Sequence, residues 1–128
     1  MRPPGGTTVS VPDDVDRRGG NMPKYLVTAR YSAEGLAGLL AQGGTTRKEA
    51  VERAVSEVGG TLECFYFAFG EHDVVSICEL PDNNAAAQLS LVVSKSGRAH
   101  TTVVPLLSVE DIDAVAASAE PDYLPPGA

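Results

Sequence analysis

Two apolar runs, residues 62–69 and 74–80, flank the polar tetrapeptide Gly70-Glu71-His72-Asp73. The pattern predicts a strand, a turn and a second strand. A hairpin with one wet face alternates apolar and polar residues. This one scarcely alternates, so both of its faces are expected to be buried. With a two-residue loop, Phe65, Phe67, Phe69, Val74 and Cys78 share one face. Leu62, Tyr66, Ala68, Val75 and Ile77 then share the other.

The remaining pattern is regular. Residues 24–31 interleave Tyr, Val and Thr and predict a first strand. Ser32 is placed to cap a short helix in which Leu36, Leu39 and Leu40 recur at helical spacing. Gly43-Gly44 breaks it. Thr46 and Glu49 read as the capping box of a second helical segment, with Val51, Ala54, Val55 and Val58 as its apolar stripe and Gly59 as its stop. After the hairpin, Asp82 caps a third helix whose buried side is Ala85, Leu89, Val92 and Val93, ending at Gly97. Residues 99–107 form a final strand. Pro105 cannot donate a ladder hydrogen bond, which puts that strand at a sheet edge. Ser108 opens a short helix containing Ile112 and Val115, with Glu110 and Asp111 at its positive end.

The order strand, helix, strand, strand, helix, strand is that of an α+β, ferredoxin-like βαββαβ fold with a four-stranded antiparallel sheet. Right-handed crossovers place strands one and three in the middle and strand four at an edge, where Pro105 also places it. Helices cover one sheet face only. At ~25 cal/mol per Å², covering a few hundred Å² of apolar surface contributes several kcal/mol. The expected solution is a second copy packed face to face about a two-fold axis, giving a homodimer or higher oligomer. The competing solution folds the C-terminal helix and tail over the same face.

At 128 residues the chain reads as one folded domain, residues 22–118. Residues 1–21, rich in Gly, Pro, Thr and Asp, read as a disordered extension, and the proline-bearing residues 119–128 as a flexible tail. The net charge of −7, the absence of Trp and the lack of a basic stripe argue against nucleic acid as a partner. No run has the length of a membrane span, and the N-terminus lacks a signal peptide's apolar segment, so no membrane partner and a cytoplasmic location are expected. The two cysteines are then expected as reduced thiols. A two-residue hairpin loop places Cys64 and Cys78 on opposite faces; a three-residue loop would place them on one.

The same topology gathers Arg30, Tyr31, Glu71, His72, Asp73, Arg98 and His100 at one end of the sheet. Strands three and four lie ~10 Å apart, so His72 and His100 could face one cleft without touching. A proton-transfer site would use His72 as acid or base with Asp73 orienting it, and Arg30 or Arg98 holding an anionic ligand. The plainer reading of the same residues is a turn, with Gly70 supplying conformational freedom and Asp73 bonding nearby amides. Tyr25, Arg30 and Tyr66 are candidates to line a pocket beneath the helices. His72, His100, Asp73, Glu71 and Glu79 are available metal ligands, but no HxH, HxxxH or CxxC spacing joins them, so no metal and no cofactor are expected.

From Met22 to about Val115 the chain resembles the GYD-domain family of small bacterial proteins. The resemblance rests on residues 22–28 (Met-Pro-Lys-Tyr-Leu-Val-Thr), 57–62 (Glu-Val-Gly-Gly-Thr-Leu), Phe65-Tyr66, 69–75 (Phe-Gly-Glu-His-Asp-Val-Val), 82–87 (Asp-Asn-Asn-Ala-Ala-Ala) and 98–106. It implies a ferredoxin-like fold in the dimeric α+β barrel style and brings no settled activity. The family's signature is Gly-x-Tyr-Asp; here Gly70 and Asp73 match it and His72 stands at the tyrosine position. An imidazole there can still donate or accept a hydrogen bond, and it titrates near neutral pH. Two function classes fit: an oligomer that binds a small organic molecule between sheet and helices, with or without turning it over, and a non-enzymatic interaction or assembly module.

Overall fold

The computed structural model describes residues 22–128; the predicted extension, residues 1–21, lies outside them. Strand β1 (Lys24–Tyr31) is followed by helices α1 (Ala33–Gln42) and α2 (Gly44–Glu57), strands β2 (Thr61–Phe67) and β3 (Val74–Glu79), helix α3 (Asn83–Lys95), strand β4 (Ala99–Leu106) and helix α4 (Val109–Ala117). The antiparallel sheet has the order β2-β3-β1-β4. This is the expected α+β ferredoxin-like topology. Pro105 lies on the edge strand, opposite Tyr25.

Alternation along β1 and β3 separates the two sheet faces. Tyr25, Val27, Ala29, Val74 and Cys78 point under the helices and are buried, together with Ser76. Tyr25, Val27 and Cys78 join Leu80, Val55 of α2, and Ala85, Ala86 and Leu89 of α3 in a single core. The Tyr25 hydroxyl reaches Asn83 Oδ1 at 2.6 Å, so this buried phenol is satisfied at the start of α3. Asp82 caps α3 as expected, accepting from the Ala85 amide at 2.9 Å. The buried side of α3 is Ala85, Ala86 and Leu89 with Val93 behind; Val92 is exposed, because the helix is turned by about one position from the expected face.

Four other local expectations are corrected. First, α2 starts at Gly44, so Thr46 lies inside the helix and forms no capping box with Glu49. Gly43, with φ 87°, ends α1 and begins α2 in one residue, which leaves no room for a separate cap. Second, Leu36 and Leu40 of α1 are exposed. Third, the hairpin loop is longer than two residues. Phe67 pairs with Val74, the loop is closed by Ala68 N–H donating to the Asp73 carbonyl at 2.8 Å, and Phe69 is fully exposed rather than on a strand. Fourth, the register slips between Leu62 and Cys64. That irregularity turns Leu62 inward, opposite Cys78 and against the core, instead of outward beside Tyr66. Cys64 still opposes Ile77 on the outer face, away from Cys78, and both thiols are free.

The outer face is layered. Cys64, Ile77, Leu26 and Val104 form one cross-strand row, and Tyr66, Val75, Thr28 and Thr102 the next. Lys24 bonds Glu63, and Glu79 at 3.0 Å, at one end; Arg30 pairs with His100 at the other. Helix α4 carries the expected box, in which Ser108 and Asp111 cap each other, but Val109, Ile112 and Val115 are all exposed. Tyr66 on the outer face is 67% exposed. The C-terminal helix therefore leaves the apolar sheet face open. Among the described residues no helix is long and apolar enough to cross a membrane.

Candidate functional site

Between the inner sheet face and helices α1, α2 and α3 lies a cavity of about 390 Å³. Its cause is side-chain size. Helix α1 presents Gly35, Gly38, Leu39 and Gln42 inward, and α2 presents Arg47, Ala50, Val51 and Ala54. Both sets follow the i, i+3, i+4, i+7 spacing of one helix face. Two glycines and two alanines in those positions cannot fill the space above a four-stranded sheet. A methyl group on Gly38 would meet nothing within 4 Å. Gly35 has the opposite surroundings. A methyl group there would come 2.0 Å from the Arg98 carbonyl oxygen. The close approach is fixed by the Ser32 amide, which bonds that carbonyl at 2.9 Å while the Ser32 hydroxyl caps α1 by accepting from Gly35 at 3.1 Å.

The cavity is graded along β1. Val27, Val55, Leu89 and Val103 line its deep part and belong to the core or pack against it. Tyr31, Glu34 and Arg98 line the end where β1 finishes, since Tyr31 pairs with Ala99, the residue after Arg98. Arg47 joins them one turn into α2. The start of that helix lies against the Phe67 ring, whose strand position pairs with Val74, itself opposite Ala29.

Electrostatics distinguish the lining groups. Burial pushes the Tyr31 phenol above its ordinary value; the Arg47 guanidinium pulls it the other way and Asp73 adds to the rise. Tyr31 is therefore a protonated hydroxyl donor at neutral pH. Burial pushes the Cys78 thiol up to about 11, against a hydrogen bond with Ser76 that lowers it. That thiol is not a nucleophile at neutral pH. The Ser76 hydroxyl donates to the Val27 carbonyl at 2.9 Å, and the Ser90 and Thr101 hydroxyls bond each other at 2.8 Å. These polar groups of the floor and the α3 wall are occupied internally. Among the described residues, the ion pairs present are those of Lys24, so Glu34, Arg47 and Arg98 face the cavity uncompensated by one another.

The rim expected at the end of the sheet is present. Arg30 donates to the Glu71 carbonyl, Tyr31 N–H donates to Asp73 Oδ2 at 2.8 Å, and Asp73 N–H donates to the Ala29 carbonyl at 2.8 Å. Of the residues singled out from the sequence, Arg98 lines the cavity. Tyr25 is core, held by Asn83. Arg30, Tyr66 and His100 lie on the outer sheet face, with the sheet between them and the helices. His72 is half-buried in the β2–β3 loop and does not line the cavity. Asp73 holds backbone amides rather than the imidazole, the arrangement of a turn. No group of three or more His, Cys, Asp or Glu side chains suited to a metal occurs among the described residues.

Sequence reasoning overlooked Arg47, Gly38 and the inward role of Tyr31. Arg47 was visible as a cation in line with the Val51 and Ala54 stripe. Gly38 was visible as a glycine inside a helix, where it costs about 1 kcal/mol relative to alanine.

A family model described as GYD domain matches residues 25–116. No curated protein matches the chain.

Proposed function

The chain belongs to the GYD-domain family, and we propose that it binds a small, largely apolar organic molecule in the cavity between sheet and helices, as a homodimer joined through its outer sheet face. The observation that carries the first part is a void of about 390 Å³ walled by Val27, Val51, Phe65, Leu89 and Val93, with a few polar groups gathered at one end. Protein interiors are otherwise close-packed, and cavities of this volume with convergent polar groups are ligand sites by default. The outer face supports the second part. Of its rows, Tyr66 and Val104 are exposed and Leu26, Val75 and Ile77 half-buried, and its ends differ in charge, with Glu63 and Glu79 around Lys24 at one and Arg30 with His100 at the other. A two-fold axis lying in the sheet plane, across the strands, sets the basic end of one copy against the acidic end of the other.

Binding of the neutral dye N-phenyl-1-naphthylamine tests the cavity. The wild-type protein is expected to enhance its emission. Gly38→Leu fills the void while improving helix propensity, and should reduce the enhancement at least about tenfold with far-ultraviolet circular dichroism unchanged. An enhancement that survives Gly38→Leu and is lost in Ile77→Glu would assign the dye to the outer face and overturn the cavity reading.

A further inference from the structure

The cavity has two chemically different ends, and this difference names a ligand class. The deep end consists of Val27, Val55, Leu89 and Val103, with the Ser76 hydroxyl already committed to the Val27 carbonyl. Nothing there rewards a polar group. The end beyond Ala29 is lined by Tyr31, Arg47, Arg98 and Glu34, the last two exposed, and the Arg47 guanidinium and the Asp73 carboxylate both act on the Tyr31 phenol. Among the described residues none of the four lining side chains is in an ion pair. Arg47 and Arg98 are matched in number by the Glu34 and Asp73 carboxylates, and the two arginines and the phenol are the hydrogen-bond donors of this end.

Resting on the cavity reading, we propose that the ligand is an amphipathic organic anion, with an apolar body seated against Val27, Val55 and Leu89 and an anionic head received by Arg47, Arg98 and the Tyr31 hydroxyl. A carboxylate or phenolate fits this reception in shape and charge. Arginine presents paired N–H donors that match a planar anion, and a neutral phenol adds a third donor. Burial keeps that phenol protonated, so it donates rather than repels. Glu34 at the same end disfavours a second negative group, which selects monoanions over dianions. The graded lining, from Val27 to Tyr31 along one strand face, spans four residue steps, about 13 Å at strand rise. That is the reach of a bicyclic aromatic acid or a medium-chain fatty acid.

Naphthalene-2-carboxylate and its neutral isostere naphthalene-2-carboxamide test the head group, each displacing N-phenyl-1-naphthylamine from the full-length protein at pH 7. The acid is expected to bind about tenfold or more tightly than the amide, the discrimination of one charge-assisted reception. Arg47→Met should bring the two affinities to within about twofold of each other while leaving the amide unchanged, because the Met stem keeps the wall. Tyr31→Phe should lower the preference for the acid by a smaller factor. Equal affinity of acid and amide for the wild-type protein would overturn the anionic class while leaving the cavity as an apolar site. Failure of both to displace the dye, with amide-resonance perturbations absent from Val27, Ala29 and Leu89, would overturn the cavity reading along with it.

Discussion

Asp73 closes the β2–β3 connection from two sides. Its Oδ2 accepts the Tyr31 amide, and its own amide reaches Ala29. The residue therefore ties the loop to the end of β1, at Ala29 and Tyr31. Among the described residues His72 beside it makes no comparable tie, and it is half-buried in the loop. At the same scale, Cys78 carries a pH signature. Its thiol titrates at about 11 in the folded protein against 9.0 ordinarily, because it is buried between sheet and helices. A folded-state value raised above the unfolded one stabilises the fold fully below about pH 9, and that contribution is lost as the pH climbs through 11. Tyr25, raised by burial, and Lys24, raised by its bonds to Glu63 and Glu79, act in the same direction at higher pH. Urea unfolding between pH 8 and 11 should show stability falling with pH, and Cys78→Val should flatten the fall between 9 and 11 whatever its own baseline. An unchanged slope in that variant would mean the thiol is not responsible.

Helix α1 shows how two identical residues in one element can act oppositely. Gly35 is needed because the Arg98 carbonyl occupies the space a methyl group would take. Gly38 has open cavity beside it. Gly35→Ala forces the helix off the β4 loop and should lower stability by about 2 kcal/mol, within the range for overpacked sites. Gly38→Ala meets no atom and should raise stability by about 1 kcal/mol through helix propensity. Thermal or urea unfolding of the two variants measures both signs; the same sign in both would contradict the placement of α1. The elements also show what a sequence discloses. The strands, the Ser32, Asp82 and Ser108 caps and the edge position of β4 were legible because each depends on local chemistry. The inward face of α1 was not. Its leucines announce an apolar stripe, whereas packing places Leu36 and Leu40 outside and turns glycines toward the sheet. The start of α2 was missed for a similar reason, since a capping-box pattern loses to a single positive-φ glycine shared by two helices.

Over the whole molecule, the sheet has two faces with two fates. The inner face is half filled by core and half left as a graded cavity. The outer face has one apolar row and one mixed row with Thr28 and Thr102 in its middle, is charged at its ends and is not covered by α4. The unbroken apolar hairpin gave the expectation that both faces need cover; the inner face is covered by helices, and cover of the outer face by a second copy is the proposal. The hairpin was not enough to place the site, because residues gathered at one rim by topology divide between the two faces by parity. Arg30 and His100 point outward and Tyr31 inward, one residue apart in β1. Burial of the outer rows by a second copy would remove large side chains such as Tyr66 and Val104 from water, and a charge at Ile77 in the central row would oppose it.

Native mass spectrometry of the purified full-length chain tests the account most directly, since one spectrum reports both the number of copies and any molecule carried with them. A two-copy species that releases a low-mass organic anion on collisional activation is expected, and single copies for Ile77→Glu. A bare single-copy species from wild-type protein at micromolar concentration, with the outer face protected from hydrogen exchange by its own chain, would contradict it.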